Sequence, residues 1–394
     1  MRITRFEIIP VAFPDPPLRN STGLHEPFAL RTLVRLTTDD GFTGWGETYG
    51  GTAPMEKLEA VRERVVGADP FALEALRLAV PDPRTYAPLE VACLDILGQA
   101  LGQPVYNLLG GKLRDPIEFA AYLFYHLDCG QYGECLSPEA MVTQARRLVD
   151  TYGFRALKLK GGVLPPDEEI ETIRALRAEF GPDFRLRHDP NAIWSVETSI
   201  RVTNALEGVL EYMEDPTQGL AGMAEVRKHV STPLSTNMCL VAFEHFPEAV
   251  RLGSVDVVLS DHHYWGGLVA TKEMGRICHT WGMGVSMHSN SHLGISLAAM
   301  LHTAAATPHL TYACDTHYVW LDEDILDNDL PGRKLPFREG FMSVPEGTGL
   351  GIRVDEDVVA RMREDYHRCG QTCRDDVGSM RRFDPTWEPL CPRW

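Results

Sequence analysis

The 394-residue sequence has no CxxC pair, no excess of positive charge and no uninterrupted apolar run of bilayer length. Each absence closes a class. Nine cysteines, an odd number scattered along the chain, make neither a disulfide framework nor a zinc ribbon; reduced thiols in a cytoplasmic enzyme are the expectation. A formal net charge of -17 argues against nucleic acid, whose partners carry basic surfaces. It does not exclude an anionic small molecule, because local cations and a metal can reverse the field inside a pocket. The N-terminus runs from Met1 into a strand pattern without a basic-then-apolar leader, and no membrane segment is expected. Also missing are the GxxxxGK[ST] and GxGxxG phosphate loops, at Gly110-Gly111 and Gly161-Gly162 as elsewhere, and the GxSxG elbow.

What is present is ordinary globular composition, 44% hydrophobic and 24% charged, in a chain longer than one core usually serves. The first part reads as strands and turns: β-formers over Arg31 to Thr37, a turn at Asp39-Asp40-Gly41, an extended run from Phe42 to Glu47. From Met55 to Gly98 the period is helical, so residues 1–115 are expected to form a small α+β domain. Beyond Asp115 strands and helices alternate. Ser137-Pro138 opens a helix whose Met141, Ala145, Leu148 and Tyr152 share a face and which Gly153 ends. Phe154 to Lys160 reads as a strand, Pro165-Pro166 opens a helix, and Phe184 to Asp189 is the next strand. Residues 116–345 are expected to be the catalytic barrel, with the tail 346–394 packing on the first domain.

Polar residues ending the apolar strands set the architecture. Lys160, Asp189, Glu214, Asn237, Asp261, His288 and Asp315 follow one another at intervals of roughly 23–29 residues, about one βαβ step each. In a (β/α) barrel the C-terminal strand ends converge on one pocket, which an open sheet does not achieve for seven successive strands.

Lys158 and Lys160, two apart, share one face of a strand that helices on either side make central; a solvated edge strand is the competing reading. Two ammonium groups in one cavity are expected to lower the pKa of one or both, giving a usable base. Asp189, Glu214 and Asn237, oxygen donors on consecutive strands, suit a hard cation such as Mg2+, although any one carboxylate alone could be a helix cap. An amide as third ligand leaves the metal more electropositive, as a substrate with several carboxylates would want. His288, one strand after Asp261, is expected to pair with it and act as base or acid. A zinc set of His262, His263, His288 and His292 lacks the usual spacing. These parts suit removal of a proton α to a carboxylate, with metal and Lys158 stabilising the enediolate and loss of a β-hydroxyl following.

The segments Lys158 to Leu164, Asp189 to Ser195, Glu214-Asp215-Pro216, Thr236-Asn237-Met238, His288 to His292, Asp315-Thr316-His317 and Arg374-Asp375-Asp376 resemble the enolase superfamily, and within it the glucarate dehydratase group. The resemblance implies an α/β fold, a modified (β/α)7β TIM-type barrel capped by an α+β domain made from both chain ends. It implies Lys160 and His288 as bases, Asp261 as partner of His288, Lys158 as charge partner, Asn290 at the reacting carboxylate, and Mg2+ on Asp189, Glu214 and Asn237. Asn20, His25, Tyr122, Asp315, His317 and Arg374 would lie in or near the substrate pocket. Around Arg84-Thr85-Tyr86 and between Phe124 and Ser137 the chain is shorter than that group, and Cys239 to Ala242 differs; these regions would line the distal half of the substrate. The reaction expected is dehydration of an acid sugar such as glucarate. A racemase or epimerase with the same bases, and a non-catalytic relative, are the alternatives. The expected partners are a small carboxylate and further copies of this chain in a homo-oligomer.

Overall fold

The computed structural model describes residues 1–130 and 133–394; Gln131 and Tyr132, in the segment between Phe124 and Ser137 expected to be short, lie outside the described residues. Three antiparallel strands come first: β1 (Ile3–Pro14), β2 (Phe28–Thr38) and β3 (Thr43–Tyr49), in spatial order β1-β2-β3. The helical stretch that follows is broken into four pieces and ends in the long helix Pro83–Leu101, which packs its buried face on this sheet.

Eight parallel strands then close on themselves. They are β4 (Ile117–Phe124), β5 (Ala156–Lys160), β6 (Arg185–Asp189), β7 (Tyr212–Glu214), β8 (Leu234–Thr236), β9 (Val257–Ser260), β10 (Gly284–Met287) and β11 (Cys314–Asp315). Each pairs with the next up to β10, β11 pairs with β4, and Thr311 N donates to Val285 O (3.0 Å) to seal the seam. A helix fills each interval from β4 to β11, and β11 is followed by a 3-10 turn: this is a (β/α)7β barrel. Ser137 caps the first of these helices by accepting from Ala140 N, and Gly153 ends it in a left-handed conformation.

Strand β5 lies between β4 and β6 and all five of its residues are buried, so the solvated-edge reading of Lys158 and Lys160 fails. Leu157 and Leu159 point outward into the core with Met141, Leu148, Ile170 and Ile173. The lysines therefore occupy the barrel interior.

Two buried glutamates of the first domain fasten it to the barrel. The helices Leu268–Thr280 and Gly294–Ala306 start at Gly267 and Leu293, which supply no capping side chain. Their free N–H groups donate instead across the domain boundary. Glu47 of β3 accepts from Leu293 N and Ser296 N (2.9 Å each) and from Arg31 Nε (2.7 Å). Glu90 accepts from Leu268 N, and burial pushes its carboxyl up to about 8. Gly267, at φ 112°, is needed there because a Cβ would overlap Glu90.

The tail forms a helix, Glu356–Cys369, that packs on β1. It then crosses to the barrel mouth: Leu24 N donates to Asp376 O (3.1 Å), Arg393 N to Ile193 O (2.8 Å), and Ser195 N to Trp394 O (2.6 Å). Its last residues thus reach the loop after β6 as well as the first domain. Among the described residues no helix is long and apolar enough to cross a membrane.

Candidate active site

The loop leaving β5 is fixed from beneath. Buried Glu169 accepts from Gly162 N (3.0 Å), Val163 N (2.8 Å) and Leu164 N (3.0 Å) and bonds His188 Nε2 (2.9 Å). A Cβ at Gly161 would overlap His188. The glycine pair serves this turn, Gly161 N spent on the Asp189 carbonyl (2.9 Å) and Gly162 N on the Glu169 carboxylate, and it holds Lys160 at the mouth.

Lys160 Nζ donates to Asp189 Oδ2 (2.6 Å). Lys158 Nζ donates to Glu214 Oε1 (2.8 Å) and Asp315 Oδ2 (3.2 Å) and lies 3.5 Å from Asp189. The expectation of lowered lysine pKa values is overturned. Burial does disfavour both ammonium groups, but Asp315 and Glu214 outweigh it at Lys158, as Asp189 does at Lys160, and both values rise. Counting the two lysines against each other omitted the three carboxylates beside them.

Those carboxylates are too many for two lysines. Burial and then Asp189 raise Glu214 well above its usual value and lift Asp215 to about 7. Glu214 Oε2 is buried, 2.7 Å from the Lys158 ammonium but without a hydrogen bond. Asn237 sits in the same cluster, its Nδ2 donating to Glu214 Oε1 (2.8 Å) and its backbone N to Asp215 Oδ2 (2.8 Å). Two carboxylates and a carboxamide at consecutive strand ends, with negative charge in surplus, fit a hard divalent cation. Because an amide nitrogen has no lone pair to offer, Asn237 would ligate through its oxygen after its carboxamide turns.

The partner of His288 is not the one expected. His288 Nδ1 bonds Asp315 Oδ1 (3.0 Å), whereas Asp261 accepts from His263 Nδ1 (2.6 Å), His263 N (2.9 Å) and Tyr49 OH (2.6 Å). Strand β10 lies between β9 and β11, both followed or ended by an aspartate, and the imidazole turns toward β11. Burial lowers the His288 pKa despite that bond, so the ring favours its neutral form. Asp315, placed by the resemblance near the substrate, instead bridges His288 and Lys158.

Lys160, Tyr122, Asn290, Asn20, His25, His317 and Arg374 all line one small cavity. Lys160 Nζ lies 5.8 Å from the centre of the Tyr122 ring and the His288 ring 6.3 Å from it, so both side chains stand beside one aromatic ring. The far wall is cross-tied. Asn20 Nδ2 donates to Asp376 Oδ2 (2.7 Å), which also accepts from Arg374 Nη2 (2.7 Å). His25 Nδ1 bonds Asp15 Oδ2 (3.0 Å) and stacks on His317 at 5.7 Å. Burial foremost, with His25 and Arg374, depresses His317 to about 4, so it is neutral near pH 7; its buried Nε2, 3.6 Å from Asp15 Oδ1, has no hydrogen-bond partner among the described residues. Asp15 at this site carries no sequence signal, being a single residue in a loop, whereas Asn191, Ser289 and Ser291 fall inside segments that carried the resemblance without being given a role. Tyr86 and Ala242, from the segments expected at the distal half of the substrate, line a separate cleft with Phe243 and Tyr264.

Comparison with known proteins agrees with this geometry. Residues 140–358 match the enolase C-terminal domain-like family and residues 8–110 the N-terminal domain of mandelate racemase / muconate lactonizing enzyme. The chain is 43% identical to a probable glucarate dehydratase of Streptomyces coelicolor, covering 100% of this chain and 99% of the relative. That alignment runs over 433 positions against the 394 residues here, so the relative carries insertions. The structure of an enolase from Mycobacterium smegmatis complexed with tartrate is 51% identical, with TM-score 0.96 over 100% of this chain and 98% of that one. One from Thermobispora bispora complexed with magnesium and formate is 49% identical, with TM-score 0.96 over 100% of both chains. Closed barrel, antiparallel cap and full-length kinship lead to one conclusion: this chain belongs to the enolase superfamily.

Proposed function

We propose that this protein is a magnesium-dependent hydro-lyase that dehydrates a sugar-derived acid, glucarate or a related aldarate or aldonate, to a keto-deoxy acid. The observation that carries the reading is the convergence of Lys160 and His288 on the Tyr122 ring above a cluster of carboxylates. The named relative, a probable glucarate dehydratase, and the tartrate, formate and magnesium of the similar structures support it.

In this reading the acid places one carboxylate beside Asn290 and its α-carbon between the two bases. Lys160 or His288, whichever faces the α-hydrogen, takes the proton, and Lys158 stabilises charge developing on the carboxylate as an enediolate forms. A divalent cation held by Asp189, Glu214 and Asn237 would supply further positive charge there and share the Asp189 carboxylate that now favours the Lys160 ammonium. The β-hydroxyl leaves as water with a proton from His288, whose imidazolium Asp315 stabilises. The resulting enol ketonises. Asn20, His25, His317 and Arg374 would hold the distal hydroxyls and second carboxylate, neutral His317 as donor or acceptor and Arg374 as the cation.

The test is incubation of chelator-treated protein with aldarates and aldonates in heavy water, with and without Mg2+, followed by NMR. A keto-deoxy product that requires the metal is expected. Two bases in one site equally suit an epimerase, and deuterium uptake at the α-carbon without a keto product would establish that alternative. Absence of both across the panel overturns the reading.

A further inference from the structure

Tyr49, the last residue of β3, sends its side chain from the first domain into the barrel mouth. Its hydroxyl donates to Asp261 Oδ2 (2.6 Å) and accepts from Asn290 Nδ2 (3.1 Å). Its ring is fixed on three sides: the Arg31 guanidinium lies 4.9 Å from its centre, His263 5.2 Å and Tyr264 5.9 Å. Tyr49 and Asn290 line a second cavity that adjoins the Lys160 cavity through Asn290, Ser291 and Arg374.

The direction of this chain of hydrogen bonds is forced. An ionised carboxylate only accepts, and the other oxygen of Asp261 is occupied by His263. Burial works against the Asp261 charge, but His263 outweighs it and the carboxyl is held well below its usual value. The phenol, whose own pKa burial and Asp261 raise well above 10, must therefore give its one hydrogen to Asp261. Its oxygen can then only accept from Asn290, and so Asn290 must turn its nitrogen to Tyr49. The amide oxygen and second N–H are left for whatever fills the cavity.

We propose that Tyr49 is a positioning residue: with Asp261 it sets which way round the Asn290 carboxamide faces the acid, making correct seating of the cap a condition for a competent site. This rests on the reading above for what Asn290 does with substrate; the positioning itself does not. The result is a polarised relay from one domain to the other, ending at a residue the sequence singled out without any sign of its support.

Two measurements decide it. In the first, the side-chain amide of Asn290 is assigned by its loss in Asn290→Ala, and its hydrogen exchange with water is followed by NMR without substrate. Tyr49→Phe keeps the ring and its stacking, so the thermal midpoint should stay within about 2 °C while Asn290 exchange accelerates at least about tenfold. Asp261→Asn, which can donate to the phenol and let it reverse, should also change the Asn290 resonances. Unaltered Asn290 exchange in Tyr49→Phe overturns the proposal. In the second, Tyr49→Phe should lower kcat/KM about tenfold or more on the acid that wild type uses, yet have no further effect in Asn290→Ala. Additive losses would assign Tyr49 to general structure and likewise overturn it. A wild type that turns over no acid would overturn the function reading alone, because the amide exchange still decides the positioning.

Discussion

The inner and outer halves of the site are built differently. The inner half, Lys158, Lys160, Asp189, Glu214, His288 and Asp315, stands on or just beyond barrel strands, each paired to its neighbours by backbone ladders. In the outer half, Asn20, His25 and Arg374 stand on loops from both chain ends and are tied by side-chain bonds to Asp15 and Asp376, while His317, in the turn after β11, stacks on His25. Rigid strand ends suit atoms that must meet a reacting carbon, whereas loops allow the remainder of a substrate to vary without disturbing them. On the proposed reading, reaction type and substrate identity would be lodged in separable parts of one cavity.

Four measurements would break or sharpen that contrast. The largest effect is expected at Lys160→Ala, a loss of at least about 10³ in kcat/KM with the fold intact by circular dichroism, as for removal of a proton-transfer group. A loss below tenfold would remove this lysine from the chemistry. Next, Asp315→Asn should cost about 10²–10³ in kcat, more than Asp261→Asn, because Asp315 orients His288. The reverse order would restore the Asp261 pairing that the sequence suggested. At the outer wall, Arg374→Ala should raise KM for a diacid about 10–100-fold and leave α-proton exchange on a monoacid within about threefold. Equal damage to both substrates would show the two halves to be one unit.

The smallest effect concerns Glu90. Its folded value of about 8 stands above the ordinary 4.5, so the folded chain keeps a proton that the unfolded chain loses. Stability from this group is full below about pH 4.5 and drains away as pH rises toward 8. Glu90→Gln should therefore flatten the decline of thermal midpoint over that interval by a few degrees. An unchanged slope would mean that Glu90 does not titrate there.

The inner half was legible in the sequence because strand ends recur with the βα period, and a side chain at each end can face only the mouth. Lys158-Leu159-Lys160 was read correctly on that ground. The partner of His288 was not, since β10 has an aspartate on either flank and chain order favours the earlier one; the closed barrel brings Asp315 within hydrogen-bond reach. The lysine pKa values were misjudged for a related reason: the sequence shows two cations two residues apart, but their carboxylates come from three other strands. Asp15 and Tyr49 were invisible, because a single loop residue or strand terminus has no period to betray it. Arg374 and His25 came only through family resemblance.

Glu47 and Glu90 carry one more consequence. The helices Leu268–Thr280 and Gly294–Ala306 borrow their N-terminal caps from residues 178 or more positions earlier in the chain. A chimera joining this barrel to the first domain of a relative would keep those helices whole only if acidic side chains arrived at the same two places. An Ala at either would strand amide hydrogens in a dry interior, and the cost would surface in a barrel whose own sequence was untouched. In evolution these two glutamates and the helices they serve are therefore bound to travel together, however freely the outer loops drift.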